Sequence, residues 1–217
     1  MRDARVLFAL MFLLTLHARG GGPLVVGGPA YGRDGTPFVW DAANMPIRYT
    51  VDAGPLSTNA GAVVIDNAAG VARVQTMFGV WENVATASIA DSYAGPILGS
   101  NGQPVDIATI QQFNDALGTC SPGRQNPIVF DADGALLTAL GLGSNVIGFA
   151  SVCLDSRVGA GKIIGGFAVM NGAWIDGSTS NGELPNALFN TAITHELGHF
   201  QAWIMRRSIR TRGCSIA

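Results

Sequence analysis

From Pro46 to Asp52 apolar and polar residues alternate, with Ile47, Tyr49 and Val51 against Arg48, Thr50 and Asp52. A period of two predicts a half-buried strand. Between Leu56 and Val84 the period lengthens. Val64, Ala68, Val71, Val74, Phe78 and Trp81 fall mostly three or four apart, which predicts an amphipathic helix with Ser57, Thr58 and Asn59 as candidate caps. Residues 85–90 (ATASIA) read as a second strand, and 106–118 as a short helix ending at Gly118. Residues 126–134 predict a strand running into a turn. Residues 145–155 and 162–176 are rich in strand formers, with a Gly-rich turn between them. After a loop over 176–184, Pro185 opens a last helix. Residues 21–44 are rich in Gly and Pro and have no period, as in a linker or short pre-domain segment. This order of elements predicts an α+β fold, a sheet backed by two helices.

The chain has 217 residues, enough for one domain with a real core. A net charge of −2 and a pI near 5.8 leave no basic footprint for nucleic acid. Arg2 and Arg5 precede an apolar run from Val6 to Leu16, and small residues follow at Ala18 and Gly20. That layout predicts a secretory signal peptide over 1–20, too short to span a bilayer; a buried N-terminal helix is the plainer alternative. Export to an extracellular or periplasmic space is therefore expected. Of Cys120, Cys153 and Cys214, the first two sit in the body of the domain and are expected to pair, unless they are small buried apolar residues.

The chemistry is concentrated in the last helix. His195-Glu196-Leu197-Gly198-His199 is a complete H-E-x-x-H. Residues four apart share a helix face, so both imidazoles can reach one zinc ion, with Glu196 beside them as general base. The bland alternative is two histidines on a solvated helix face. Against it, the only other His is His17, inside the expected signal peptide. Gly198 costs a helix about 1 kcal/mol, which predicts that something packs close against it.

In the order PIRYTVDAGPL, VWENVATASI and AITHELGHF, residues 44–201 resemble the metzincin clan of zinc metalloproteases, in its matrixin-like secreted branch. The resemblance implies a zincin-like twisted mixed sheet, a backing helix and an active-site helix. It implies a zinc-dependent endopeptidase with Glu196 as base, His195 and His199 as ligands, and a protein or peptide as substrate. It also implies that NVIGFASV is the edge strand along which substrate lies extended, around Phe149, Ala150 and Ser151, although an ordinary core strand would read the same. A monomer without a membrane span is expected. The chain departs from the metzincin motif H-E-x-x-H-x-x-G-x-x-H at two places, where Ala202 stands for Gly and Met205 for His. Residues 202–217 also hold no Met-turn, so the C-terminal subdomain is expected to be missing. No carboxylate follows Glu196. Cys214, Asp176 and Glu183 are poor substitutes for the third of the ligands that catalytic zinc normally takes.

The genetic code offers an origin for the departure. Ala202-Trp203-Ile204-Met205-Arg206 must be written GCN TGG ATH ATG followed by CGN or AGR. With one G restored in front, the triplets become GGC, NTG, GAT and HAT. They read Gly, Leu if N is C, Asp, and His if Ile204 used ATC. Gly then falls at 202 and His at 205, at metzincin spacing. A one-base deletion after Gln201 would also account for an acid-free tail over 202–217 that carries Arg206, Arg207, Arg210, Arg212 and Cys214. Such a chain is expected to hold zinc weakly and to have little activity. The competing function is a non-catalytic secreted binding module that keeps the fold.

A weaker signal is Asp131 and Asp133 around the turn FDADG. Oxygen ligands at this spacing suit calcium, but a full calcium loop needs further carboxylates, and a polar turn with Gly134 at positive φ is the favoured reading.

Overall fold

The computed structural model describes residues 22–85, 88–178 and 182–204. The expected signal peptide, Met205 and the Arg-rich tail with Cys214 lie outside the described residues. In chain order the strands are β1 (Gly22–Pro23), β2 (Val39–Trp40), β3 (Ile47–Val51), β4 (Ser57–Asn59), β5 (Ala62–Ile65), β6 (Asp91–Pro96), β7 (Pro127–Asp131), β8 (Gly148–Leu154), β9 (Lys162–Asn171) and β10 (Trp203–Ile204). The helices are α1 (Asn67–Glu82), α2 (Ile110–Leu117), α3 (Ala135–Ala139) and α4 (Asn186–Phe200).

The central sheet runs β6-β3-β7-β9, all parallel, with β8 antiparallel along β9 and β2 parallel to its first residues. The fold is thus α+β with a mostly parallel mixed sheet. Helices α1 and α4 cover one face through Val74, Phe78, Phe189, Ile193, Leu197 and Phe200, against Ile47, Tyr49, Ile128 and Met170. On the other face α2 and α3 supply Phe113, Leu136 and Leu137, against Val129 and Val169.

Three elements differ from the sequence expectation. Residues 57–65 form the hairpin β4–β5, not the first turns of a helix. Ala60 and Gly61 take φ of +48° and +80°, the pair of left-handed residues that a two-residue hairpin turn needs, and the β-branched run Val63-Val64-Ile65 favours strand. Helix α1 starts only at Asn67, where the Asp66 side chain accepts the Ala69 N–H. The second strand is Asp91–Pro96; of the expected 85–90, residues 88–90 lead into it and 86 and 87 lie outside the described residues. Among the described residues the strand pairs only with β3, and it stays partly exposed, so its sequence shows no apolar alternation. Finally, residues 22–44 are built into the domain: Phe38 is 2% exposed, and Val39 and Trp40 pair with Lys162 and Ile163.

Cys120 and Cys153 form a disulfide with Cα atoms 5.8 Å apart. It ties the segment after α2 to the last residues of β8. Closing a loop of 33 residues contributes roughly 3–4 kcal/mol in the chain-entropy picture. We expect Cys120→Ser with Cys153→Ser to lower the denaturation midpoint accordingly; an unchanged urea midpoint would refute it.

Candidate active site

Helix α4 lies on the sheet through its apolar stripe, which leaves His195 and His199 on a half-buried side and turns Glu196 inward. The two imidazoles converge, Nε2 to Nε2, at 2.9 Å. Two nitrogens bound to one tetrahedral zinc at 2.0–2.1 Å would stand about 3.3 Å apart, so a small opening of the rings suffices. Among the described residues no third His, Cys, Asp or Glu joins them.

Glu196 is 6% exposed, and burial pushes its carboxyl up to about 7, the range suited to a general base at neutral pH. It lies against the start of β8, where a Cβ on Gly148 would stand 2.9 Å from Glu196 Cγ and from the Val169 carbonyl oxygen. Glycine at 148 therefore permits the edge strand to pass this close to the carboxylate.

Trp81 accounts for Gly198. A Cβ at 198 would meet Trp81 Cζ2 at 2.5 Å, and the Trp81 indole N–H donates to the Thr194 carbonyl at 2.8 Å. Helix α1 is thereby locked to the turn of α4 that carries the histidines. Below it, Gln201 Nε2 donates to Asp91 Oδ2 at 2.5 Å and the Asp91 N–H to Glu82 Oε1 at 2.6 Å. Burial first, and then Glu82, push the Asp91 carboxyl up to about 7. An acid whose folded pKa is raised gives stability that is complete below its unfolded value, near 3.9, and is lost as pH rises to about 7. The melting temperature should therefore fall between pH 4 and pH 7, and the slope should be shallower in Asp91→Asn. Buried Asp52, raised to about 7 by burial against the backbone N–H bonds it accepts, keeps part of that slope in the variant. An identical slope in both proteins would count against the assignment.

Among the described residues, strand β8 pairs with β9 on one side only. Asn171 N–H donates to the Ile147 carbonyl at 2.9 Å. The register Phe149↔Val169 and Ser151↔Phe167 then turns the backbone polar groups of Phe149 and Ser151 toward β9. Those of Gly148, Ala150 and Val152 face the free edge. Of the three substrate-contact candidates only Ala150 offers its backbone there. The Phe149 side chain packs on Phe167, ring centroids 5.1 Å apart, on the α2–α3 face of the sheet. Gly148 and Val152 were within reach of the sequence, because the strand's period of two selects every second residue.

The carboxylates of the FDADG turn serve the backbone. Asp131 accepts the Leu136 and Leu137 N–H groups at 3.0 and 2.8 Å, Asp133 accepts Ala135 N–H at 3.0 Å, and Gly134 has φ +79°. These bonds cap the start of α3. Asp176 and Glu183 likewise lie outside the histidine pair, since no cluster of three such side chains forms among the described residues.

Helix α4 ends at Phe200 with Gln201 as its C-cap, and the chain reverses at Ala202 with φ +69°. That is the left-handed region, which costs an L-residue roughly 1–2 kcal/mol and costs glycine nothing comparable. Among the described residues no helix is long and apolar enough to cross a membrane, and the disulfide fits a non-reducing compartment. The chain matches no family model, no curated protein and no solved structure.

Proposed function

We propose that the chain is a secreted zinc-dependent endopeptidase of metzincin type, impaired by loss of its third zinc ligand. The observation that carries this reading is the convergence of the His195 and His199 Nε2 atoms, 2.9 Å apart, beside a buried Glu196 whose carboxyl titrates near 7. His195 and His199 would hold the ion. Zinc bound there supplies a Lewis acid for a scissile carbonyl and lowers the pKa of water at the site. Glu196 takes a proton from the attacking water and returns it to the leaving amine, so its own charge is restored at the end of each cycle. An extended substrate would add to the free edge through the backbone groups of Gly148, Ala150 and Val152, a form of strand addition.

The left-handed turn at Ala202 supports the frameshift reading independently of any ligand. The backbone takes a glycine conformation at the position where the neighbouring frame writes Gly. The direct test is the nucleotide sequence across codons 200–206. Under this reading Ile204 is ATC, and the frame with one G restored runs on without an early stop. Ile204 written ATT or ATA makes position 205 Tyr or Asn and sinks the frameshift.

The sequence also supports a second reading, a non-catalytic binding module, because Met205 stands where the metzincin motif has its third histidine. Tight zinc and Glu196-dependent proteolysis by the unaltered chain would exclude it.

A further inference from the structure

The ends of two helices and the start of a strand meet at Asp91. Glu82 is the last residue of α1, Gln201 is the C-cap of α4, and Asp91 opens β6. Asp91 N–H donates to Glu82 Oε1, and Gln201 Nε2 donates to Asp91 Oδ2, so two carboxylates and one amide share a single cluster. Each helix C-terminus adds roughly half an elementary negative charge. The last turn of α1 holds no basic residue, and that of α4 holds only His199. Among the described residues neither Asp91 nor Glu82 has an ion-pair partner. Negative charge from four sources therefore collects here without a counter-charge. Two buried oxygens of the same cluster, Asp91 Oδ1 and Gln201 Oε1, also have no donor among the described residues. Gln201 is 3% exposed. Its amide is pinned through Nε2 to Asp91, which keeps Oε1, on the same planar group, beside the carboxylates. A buried acceptor without a donor is costly, and here two of them lie next to excess negative charge.

We propose that Glu82, Asp91 and Gln201 form a calcium site, in which the two carboxylates and the Gln201 amide oxygen bind one ion and water fills its remaining positions. A hard cation matches every group in the cluster, because carboxylate and amide oxygens are its ligands. Calcium fits better than magnesium: it accepts amide carbonyl oxygens beside carboxylates and tolerates irregular geometry, whereas magnesium demands a near-octahedral shell. Gln201 lines a cavity of about 380 Å³ together with Ser88 and Ile89, which gives water a way in. With only two carboxylates the affinity belongs to the weak class of extracellular calcium modules, a Kd of about 10⁻⁴–10⁻³ M. The bound ion would tie the ends of α1 and α4 to β6, behind the turn of α4 that carries the histidines. The proposal stands apart from the zinc reading, since it uses neither His195 nor His199.

The test is the melting temperature of the full chain at pH 8 in zinc-free buffer. Calcium at about 10 mM should raise it by roughly 3 °C or more, and magnesium at the same concentration should not. Glu82→Gln changes an exposed residue and keeps an oxygen for the Asp91 N–H, yet removes one of the two charges; it should weaken calcium binding about tenfold or more. Asp91→Asn should abolish the response. Terbium luminescence reads the site directly where a variant melts too low to compare. Tyr49 and Tyr93 should sensitise it, since their rings lie 5.9 Å apart and Tyr93 shares a face of β6 with Asp91. Calcium should displace terbium from the parent chain, and Glu82→Gln should bind terbium weakly. His195→Ala with His199→Ala should keep the calcium response, and so should Asp133→Asn. Loss of the response in either of these places the ion at the histidines or at the α3 turn and overturns the proposal. Equal shifts from calcium and magnesium, no shift from calcium, or an undiminished response in Glu82→Gln overturns it as well.

Discussion

If the proposed zinc reading holds, exchanging Ala202→Gly and Met205→His together is expected to give a stoichiometric zinc site where the two histidines alone would hold the ion weakly, and to bring peptide hydrolysis with it. The two substitutions act on different terms. Position 202 holds φ +69°, so Gly alone should stabilise the fold by about 1 kcal/mol and raise the melting temperature by roughly 2–4 °C for a chain of this size. His at 205 adds the ligand that completes the usual set of three and leaves one position for water. A gain of at least about a hundredfold in zinc affinity, near 2.7 kcal/mol, is the expected scale. Competition against a chromogenic chelator measures it, and cleavage of a quenched fluorescent protein substrate reports the activity. A double variant that melts higher but binds zinc no better would show that residue 205 does not face the histidines. That result would remove the basis for the protease reading.

Glu196→Gln should separate chemistry from metal binding. In the double variant the loss of a positioned base should cut hydrolysis about 10²–10⁴-fold with zinc affinity little changed, because Glu196 is not a ligand. In the unaltered chain the proposed reading expects little activity, and stability becomes the readout. The Glu196 carboxyl, raised from 4.5 to about 7 by burial, contributes stability that is complete below its unfolded value. That contribution disappears as pH rises to about 7, a span worth roughly 3 kcal/mol. Glu196→Gln should therefore leave acid stability alone and raise stability at pH 8, judged by urea midpoints at pH 4 and pH 8. A variant that is less stable than the parent at pH 8 would mean that the carboxylate is held by a charge or donor not yet recognised.

How far this structure was legible depended on what kind of signal each part carries. The strand at Ile47–Val51 was readable from its period of two, although as a central strand it also buries Thr50 and Asp52 on the expected polar face, and the last helix was readable from Pro185 at its start and the spacing of its histidines. The pairing of Cys120 with Cys153 was readable from their place in the body of the domain. The β4–β5 hairpin was missed because its turn uses Ala60 at positive φ, where Asn or Gly would have announced it. Strand β6 was missed because an edge strand half open to solvent has no need to alternate. Within the site, His195, Glu196 and His199 follow from helix geometry alone. The clamp of Trp81 on Gly198 was legible only as an unexplained glycine, since no local rule connects residues 117 apart. The Asp91–Gln201 contact, 110 apart in sequence, left no trace at all.

The free edge of β8 has a cost of its own. Its seven residues, Gly-Phe-Ala-Ser-Val-Cys-Leu, include no charge and no proline, the two devices by which natural sheets most often keep an exposed edge from pairing with a neighbour. What would suit the strand to receive the proposed peptide also suits it to receive another copy of itself. The disulfide at Cys153 holds the far end of the strand in place without shielding its backbone. Colloidal stability is then governed by how much of the time that edge is covered, and an idle chain at high concentration is the state most exposed to self-association.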